Sequence, residues 1–450
     1  MSARPAASLF SARILVLVMM AVSLVSAAPA QSQTTRITRV VSPGGIEAWL
    51  VRDTTLPLLA MEFAFLGGAA QDPAERPGIA SLAASLLDEG AGEYDAERFH
   101  QALADKAIEL HFDAGRDELR GSVRTLSENR DAAFDMLRLS VTQPRFDTEA
   151  VERIRTAQLA SLRRRSTDPN SLANERWFAL AFPNHPYGRP VDGTLASVAD
   201  ITREDLAGFA KRNLARSNLR VAVVGDITPE ELATELDRVF GALPATAQLT
   251  PVADVQPQGL GKTDVIPLDV PQSVVMIGTD GLERQDPDFI PAYVLNHILG
   301  GSAFSSRLFK EVREARGLAY SVYSYQVALE HVGLWFAGTA TKNDRAGESI
   351  KIINAEFQQI LDQGPTQEEL DEAKSYLTGS YALRFDTSAK IAGQLLQIQI
   401  DKLGMDYIDR RNSLIEAVTL EDLRRVSQRL AGARKALVVV AGRPVGVVGN

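Results

Sequence analysis

The sequence predicts an α+β protein built from two homologous domains. The first observation is a repeat: "VADITREDLAGFA" from Val198 and "AVTLEDLRRVS" from Ala417 align with Ile201-Thr202 on Val418-Thr419 and Glu204-Asp205-Leu206 on Glu421-Asp422-Leu423, an offset of 217 (418 − 201). Each is followed by a β-rich run ending in glycine, "LRVAVVGD" and "ALVVVAGR", and Gly225 and Gly442 keep the same offset (442 − 225 = 217). "QDP" recurs at Gln71 and Gln285, 214 positions apart (285 − 71). A lone tripeptide carries no weight, but a near-constant offset through three features argues for one duplicated unit. The second observation is the mixture of apolar strands, such as "LPLLAMEFAFLGG" and "QSVVMIGTDG", with long amphipathic helices, Glu149 to Arg165 and Pro365 to Leu383, which indicates an α+β layer architecture.

At 450 residues the chain exceeds what one core accommodates. Residues 1–30 read as a secretory signal peptide: Arg4 and Arg13 precede "ILVLVMMAVSLV", and "SAAPA" offers cleavage after Ala27 or Ala30. That apolar run is short for a bilayer span, and no second such run follows. The chain contains no cysteine, which excludes disulfides, thiolate metal ligands and a lipid-modified cysteine. The expected location is the bacterial periplasm, in soluble form. An N-terminal domain is expected over 35–245. A linker over 246–263, rich in Pro, Gly and polar residues and without helical period, is long enough for the halves to face each other. The C-terminal domain is expected over 264–447. Each helix start is expected to carry a cap, as in the hydroxyl-x-x-acid boxes Thr202/Asp205, Thr228/Glu231 and Thr366/Glu369. The net charge of −9 leaves no basic surplus for nucleic acid.

Little in the chain looks like a metal site. "GIASLAAS" (78–85) puts Ser81, Ala84 and Ser85 at i, i+3 and i+4, one helix face that carries two hydroxyls and a methyl. The five histidines, His100, His111, His185, His297 and His331, include no pair at a close ligand spacing and read as structural or surface residues. "FPNHPYGRPVDG" (182–193) has three prolines and two glycines and reads as a rigid loop, with His185 and Arg189 tying it down. In "LNHILGGSAFSSRLFKEVREARGLAYSVYSY" (295–325) a helix ends at Gly-Gly, a Ser-rich segment starts a second helix, and a strand follows Gly317. Arg313 and Arg316 read either as surface charges paired with Glu311 and Glu314, or, for Arg313 together with Tyr320, as a guanidinium and a phenol converging on a peptide carbonyl or oxyanion.

The duplicated halves, "HPYGRP" at 185–190 and "LGGSAFSSRLFKEVREARGLAYSV" together resemble the pitrilysin or insulinase family of inverzincin zinc metallopeptidases, in the short bacterial branch similar to mitochondrial processing peptidase. The resemblance covers nearly all of the mature chain. It implies two domains, each an antiparallel-rich sheet covered by helices, facing each other as a clamshell. It further implies that the family's H-x-x-E-H zinc helix falls on "GIASLAAS", so that Ser81, Ala84 and Ser85 stand where His, Glu and His would be. The third ligand falls near Ala160 or Ser161, and neither can replace a carboxylate. Arg313 and Tyr320 match the family's substrate-holding pair. Substrate peptide is expected to add a strand to a sheet edge around Ile108 to Ala114. No metal or cofactor is expected in this chain; zinc is expected in a homologous partner with which it forms a heterodimer acting on peptides. The alternatives are an inert scaffold or peptide-binding protein of the same fold, and an autonomous peptidase with a relocated metal site.

Overall fold

The repeat in the sequence is a repeat of sheets. The computed structural model describes residues 36–302, 304–430 and 435–450; the expected signal peptide lies outside the described residues. In the first half the strands are β1 (Ile37–Val41), β2 (Glu47–Arg52), β3 (Leu58–Leu66), β4 (Glu109–Ala114), β5 (Glu118–Leu126) and β6 (Leu219–Gly225). They form one sheet in the order β1-β2-β6-β3-β5-β4, with only β2 and β6 parallel. The second half has β7 (Thr263–Pro267), β8 (Gln272–Asp280), β9 (Ala319–Leu329), β10 (Val332–Lys342) and β11 (Leu437–Gly442). Their order is β7-β11-β8-β10-β9, with only β7 and β11 parallel. Apart from β1, the two sheets therefore have the same order and the same strand directions, as duplication requires.

Both repeat glycines have a physical reason. Gly225 and Gly442 close β6 and β11 at φ +145° and +147°, a region side chains rarely adopt. A Cβ at Gly225 would also lie 2.3 Å from the Leu58 carbonyl oxygen, and one at Gly442 2.8 Å from the Ser273 Cα. Replacing either forces the neighbouring strand to move.

Each sheet packs one face on its own helices. Phe63, Phe65, Phe134, Phe209 and Phe240 anchor the first core, and Trp335, Ile353, Phe357 and Leu423 the second. The opposite faces are covered by exchange. Helix α3 (Pro169–Ala181), which follows α2 (Thr148–Arg165), lays Trp177 and Phe178 on Val274, Met276, Phe336 and Val439 of the second sheet. Helix α6 (Ser388–Ile400) lays Leu395, Leu396 and Ile398 on Trp49, Ala64, Ala222 and Val224 of the first. The two helices start 219 positions apart (388 − 169), in keeping with the repeat. Each is pinned to an inner strand of the other half: Trp177 Nε1 donates to the Leu437 carbonyl at 3.1 Å, and Gln399 Nε2 to that of Val221 at 2.9 Å. The halves face each other across a cleft of about 770 Å³, lined from one side by Leu66, Glu118 and Arg120 and from the other by Glu283, Arg284 and Asp401. Between them, residues 244–262 contain no helix or strand, and their backbone is held by Arg212, Ala181, His331 and Ala436.

The hydroxyl-x-x-acid boxes form reciprocal hydrogen bonds at Thr202/Asp205, Thr228/Glu231 and Thr366/Glu369, and again at Thr419/Asp422. The expectation of a cap at every helix start is corrected. The helices Arg130–Thr142 and Ala346–Gln363 have no side-chain cap bond. Both emerge from a 3₁₀ turn, and such a turn supplies carbonyls to the first N–H groups.

Candidate functional site

The helix on which the resemblance places the family's zinc motif is α1 (Ile79–Ala84), entered through Gly78 at φ +101°. Its first turn is capped from outside by the buried Asp72, which accepts from Gly78 N at 2.8 Å and Ala80 N at 3.0 Å. Burial raises the Asp72 carboxyl to about 7, against the pull of those N–H groups. Asp72 belongs to the first "QDP", so one member of that repeat fixes the start of this helix.

None of the three positions retains metal-binding chemistry. Ser81 Oγ donates to Asp192 Oδ1 at 2.8 Å, and Ser85 Oγ donates back to the Ser81 carbonyl at 3.0 Å. Ala84 is 1% exposed, packed into the first core. Asp192 is further ion-paired with Arg165 at the end of α2, whose guanidinium also holds Glu175 of α3 at 3.0 Å. Ala160 and Ser161 lie on the same α2 and add no carboxylate. The zinc that the family implies does not fit these residues. Neutral hydroxyls are poor ligands, and the nearby carboxylate is already neutralised by a guanidinium. Among the described residues no cluster of three His, Cys, Asp or Glu is placed to hold a metal ion. The Asp192–Arg165–Glu175 chain was invisible in the sequence, where Asp192 was one polar residue of the Pro-rich loop.

Arg313 and Tyr320 come together. Arg313 lies in a wide helical turn, Phe309–Glu314, and its guanidinium sits 4.6 Å from the Tyr320 ring centroid and 4.9 Å from that of Phe309. The β9–β10 ladder skips from Val322 to Ala319 across a bulge, so Tyr320 and Ser321 stand out of the pairing. Tyr320 is 83% exposed as a result. The surface-pair reading holds for Arg316, which binds Glu311 at 2.5 Å. It does not hold for Arg313, which makes no ion pair among the described residues and keeps its N–H groups available. No hydrogen bond, ion pair or ring contact joins this pair to Ser81, Ala84 or Ser85.

The histidines stay apart as ligands. His100 meets Glu89 at 3.1 Å, and His111 is exposed on β4. His185 binds the Ala253 carbonyl at 2.9 Å through Nε2 and accepts from Tyr187 N, while Arg189 donates to the Asp72 carbonyl at 2.6 Å. The loop 182–193 is thus tied down as its sequence suggested. His297 is buried against Tyr376, and burial alone lowers its imidazole to about 4. His331 pairs with Asp254 at 3.1 Å. The strand expected to receive peptide, β4, ends its sheet and, among the described residues, pairs with β5 alone.

Residues 57–195 match the model of the family described as insulinase (peptidase family M16), and residues 200–377 that described as peptidase M16 inactive domain. A Helicobacter pylori protein named non-peptidase homolog YmxG is 30% identical over 335 residues, 74% of this chain and 77% of that one. The chain belongs to the M16 peptidase family. An uncharacterized zinc protease of Streptomyces coelicolor is 27% identical over 413 residues, 90% of this M16 chain and 89% of the other. The crystal structure of a peptidase M16 inactive domain from Pseudomonas fluorescens superposes with a TM-score of 0.85 at 28% identity, over 92% of this chain and 99% of that one. The two-sheet α+β architecture is accordingly the M16 fold, and its helix α1 without imidazole or carboxylate fits a non-catalytic M16 chain.

Proposed function

We propose that this chain is the metal-free subunit of a periplasmic heterodimeric zinc peptidase. A zinc-bearing homologous subunit supplies the metal helix, and this chain supplies Arg313 and Tyr320 to hold the scissile peptide and its oxyanion. The signal-peptide pattern of residues 1–30 supports export to the periplasm. Edge strand β4 offers a place for the extended substrate.

One observation carries the proposal. The positions of the family's ligands and general base are filled by Ser81 and Ser85, tied into other bonds, and by the core-packed Ala84, whereas Arg313 and Tyr320 stand side by side at 4.6 Å with the phenol exposed. A guanidinium beside an exposed phenol, without an acidic partner among the described residues, is poised to donate to a carbonyl oxygen arriving from outside the chain.

The test reconstitutes the complex from this chain and a zinc-bearing M16 homologue and follows cleavage of a fluorogenic peptide. Arg313→Ala or Tyr320→Phe should reduce turnover by roughly 10- to 1000-fold, the range for loss of an oxyanion donor, while size-exclusion chromatography still shows the dimer. Unchanged turnover in both variants would remove the pair from the proposal.

A further inference from the structure

Apart from the α1 helix and the Arg313 turn, a second concavity stands out by its unspent charge. It is a cavity of about 600 Å³ bounded by α3, the loop at Gly188–Val191, Arg116 in the β4–β5 turn, and β7. Leu172, Phe178, Val191 and Ile266 give it apolar walls. Four arginines and two carboxylates line it, and the carboxylates are already engaged: Glu175 by Arg165 at 3.0 Å, and Asp264 by Arg176 at 2.9 Å. Arg189 donates to the carbonyls of Asp72 and Ala70, but its Nε is buried with no acceptor.

Arg116 remains. Its guanidinium carbon sits over the Phe178 ring, 3.9 Å from the centroid, and the side chain makes no hydrogen bond or ion pair among the described residues. Burial pushes it down to about 10, against the upward pull of Asp117, Tyr187, Asp192 and Glu175 at a distance. Arg116 is part-buried, and none of its nitrogens is among the buried polar atoms without a partner, so its donors stay open to solvent and to whatever enters the cavity, while the ring satisfies none of them. The ring contact holds the guanidinium at the cavity wall, where its fork of donors suits a planar, bidentate acceptor. The cavity volume falls in the range of small-ligand sites, and its apolar walls suit a hydrocarbon group beside the anion.

We infer that this cavity binds a carboxylate carrying a short apolar group, with Arg116 as the bidentate receptor and the α3–β7 walls holding the hydrocarbon part. The chemistry is shared by the C-terminal residue of an apolar peptide and by a free branched-chain acid. The site does not depend on the subunit reading above, because it uses neither Arg313 nor Tyr320 and needs no metal.

The experiment is titration calorimetry on the purified mature chain with three probes: acetyl-Ala-Ala-Leu with a free carboxylate, the same peptide as its C-terminal amide, and 4-methylpentanoate. The peptide acid or the free acid should bind. The peptide amide should bind at least 10-fold more weakly than the peptide acid, and Arg116→Gln should weaken the acid by roughly 10- to 100-fold, as expected for loss of a charged hydrogen-bonded pair. Binding by 4-methylpentanoate as tight as by the peptide assigns the site to small acids; binding by the peptide alone assigns it to peptide termini. Leu172→Trp, which fills the cavity from α3, should abolish binding without touching Arg116 and serves if Arg116→Gln does not fold. Equal binding of acid and amide, absence of binding by any probe at millimolar concentration, or full binding by Leu172→Trp would each overturn the inference.

Discussion

Truncating Trp177 to alanine should weaken both halves of the molecule at once. Trp177 is 0% exposed, sits on a helix of the first half and packs on the second sheet, with Phe336 at 4.5 Å and its indole N–H on the Leu437 carbonyl. A tryptophan buries on the order of 150–250 Å², and at about 25 cal/mol per Å² that corresponds to roughly 4–6 kcal/mol as an upper bound. Measured Trp→Ala losses are about 3–5 kcal/mol, and a stranded carbonyl adds about 1. Trp177→Phe keeps most of the packing and loses the hydrogen bond, so about 1–2 kcal/mol is expected. The space is shaped for this ring, since a Cβ on Gly278 would come within 2.5 Å of the Trp177 indole. Urea unfolding followed by fluorescence and far-UV circular dichroism should show one transition moving to lower denaturant by both probes, because α3 completes the second sheet and α6 the first. A loss below about 1 kcal/mol for Trp177→Ala, or two separable transitions of which only one moves, would refute the exchanged-helix account.

Two further predictions concern buried charge and the α1 helix. The Glu62 side chain on β3 makes no hydrogen bond among the described residues, and burial raises its carboxyl to about 7, only partly offset by Arg124 and Arg120. The unfolded chain ionises this group near 4.5 while the folded chain keeps the proton to about 7, so its favourable contribution is full below 4.5 and lost as the pH rises through 7. Glu62→Gln should therefore gain on the parent by about 1–3 kcal/mol between pH 4.5 and pH 8, allowing for partial solvation. A stability difference that does not change with pH would show that Glu62 is not held protonated. The triple substitution Ser81→His, Ala84→Glu, Ser85→His should bind well under one zinc per chain by elemental analysis and melt lower, because position 84 is inside the core and Arg165 already holds Asp192. Stoichiometric zinc in a stable triple variant would contradict the reading of α1 as a closed site.

What the sequence could express depended on how local the cause was. Capping boxes are set within four residues, so Thr202, Thr228 and Thr366 announced their helices directly. The glycines ending β6 and β11 were visible as a repeat because both strands face the same steric limit. The exchange of α3 and α6 was not legible. The stripe of Ala173, Trp177, Phe178 and Ala181 shows that a face is buried, but nothing within the helix says on which sheet, and the partner carbonyl is 260 positions away. That "GIASLAAS" falls where a metal helix is expected could be read only by setting it beside a family pattern; alone it is a small-residue face. Arg116 gave no signal at all, since "GRDE" between two strands looks like any polar turn, and its contact with Phe178 depends on a helix that follows 53 positions later. The pairing of Arg313 with Tyr320 was suggested by spacing, but the exposure of Tyr320 depends on a bulge set by β10.

The central claim is that this chain acts through a metal it does not hold. The most direct measurement is kcat/KM for peptide cleavage by a purified zinc-bearing M16 homologue, alone and with this chain titrated in. The account predicts a rise that saturates at one chain per zinc subunit and is lost with Arg313→Ala. No gain at any ratio, with both proteins folded, would contradict it and leave the chain as a scaffold of the M16 fold.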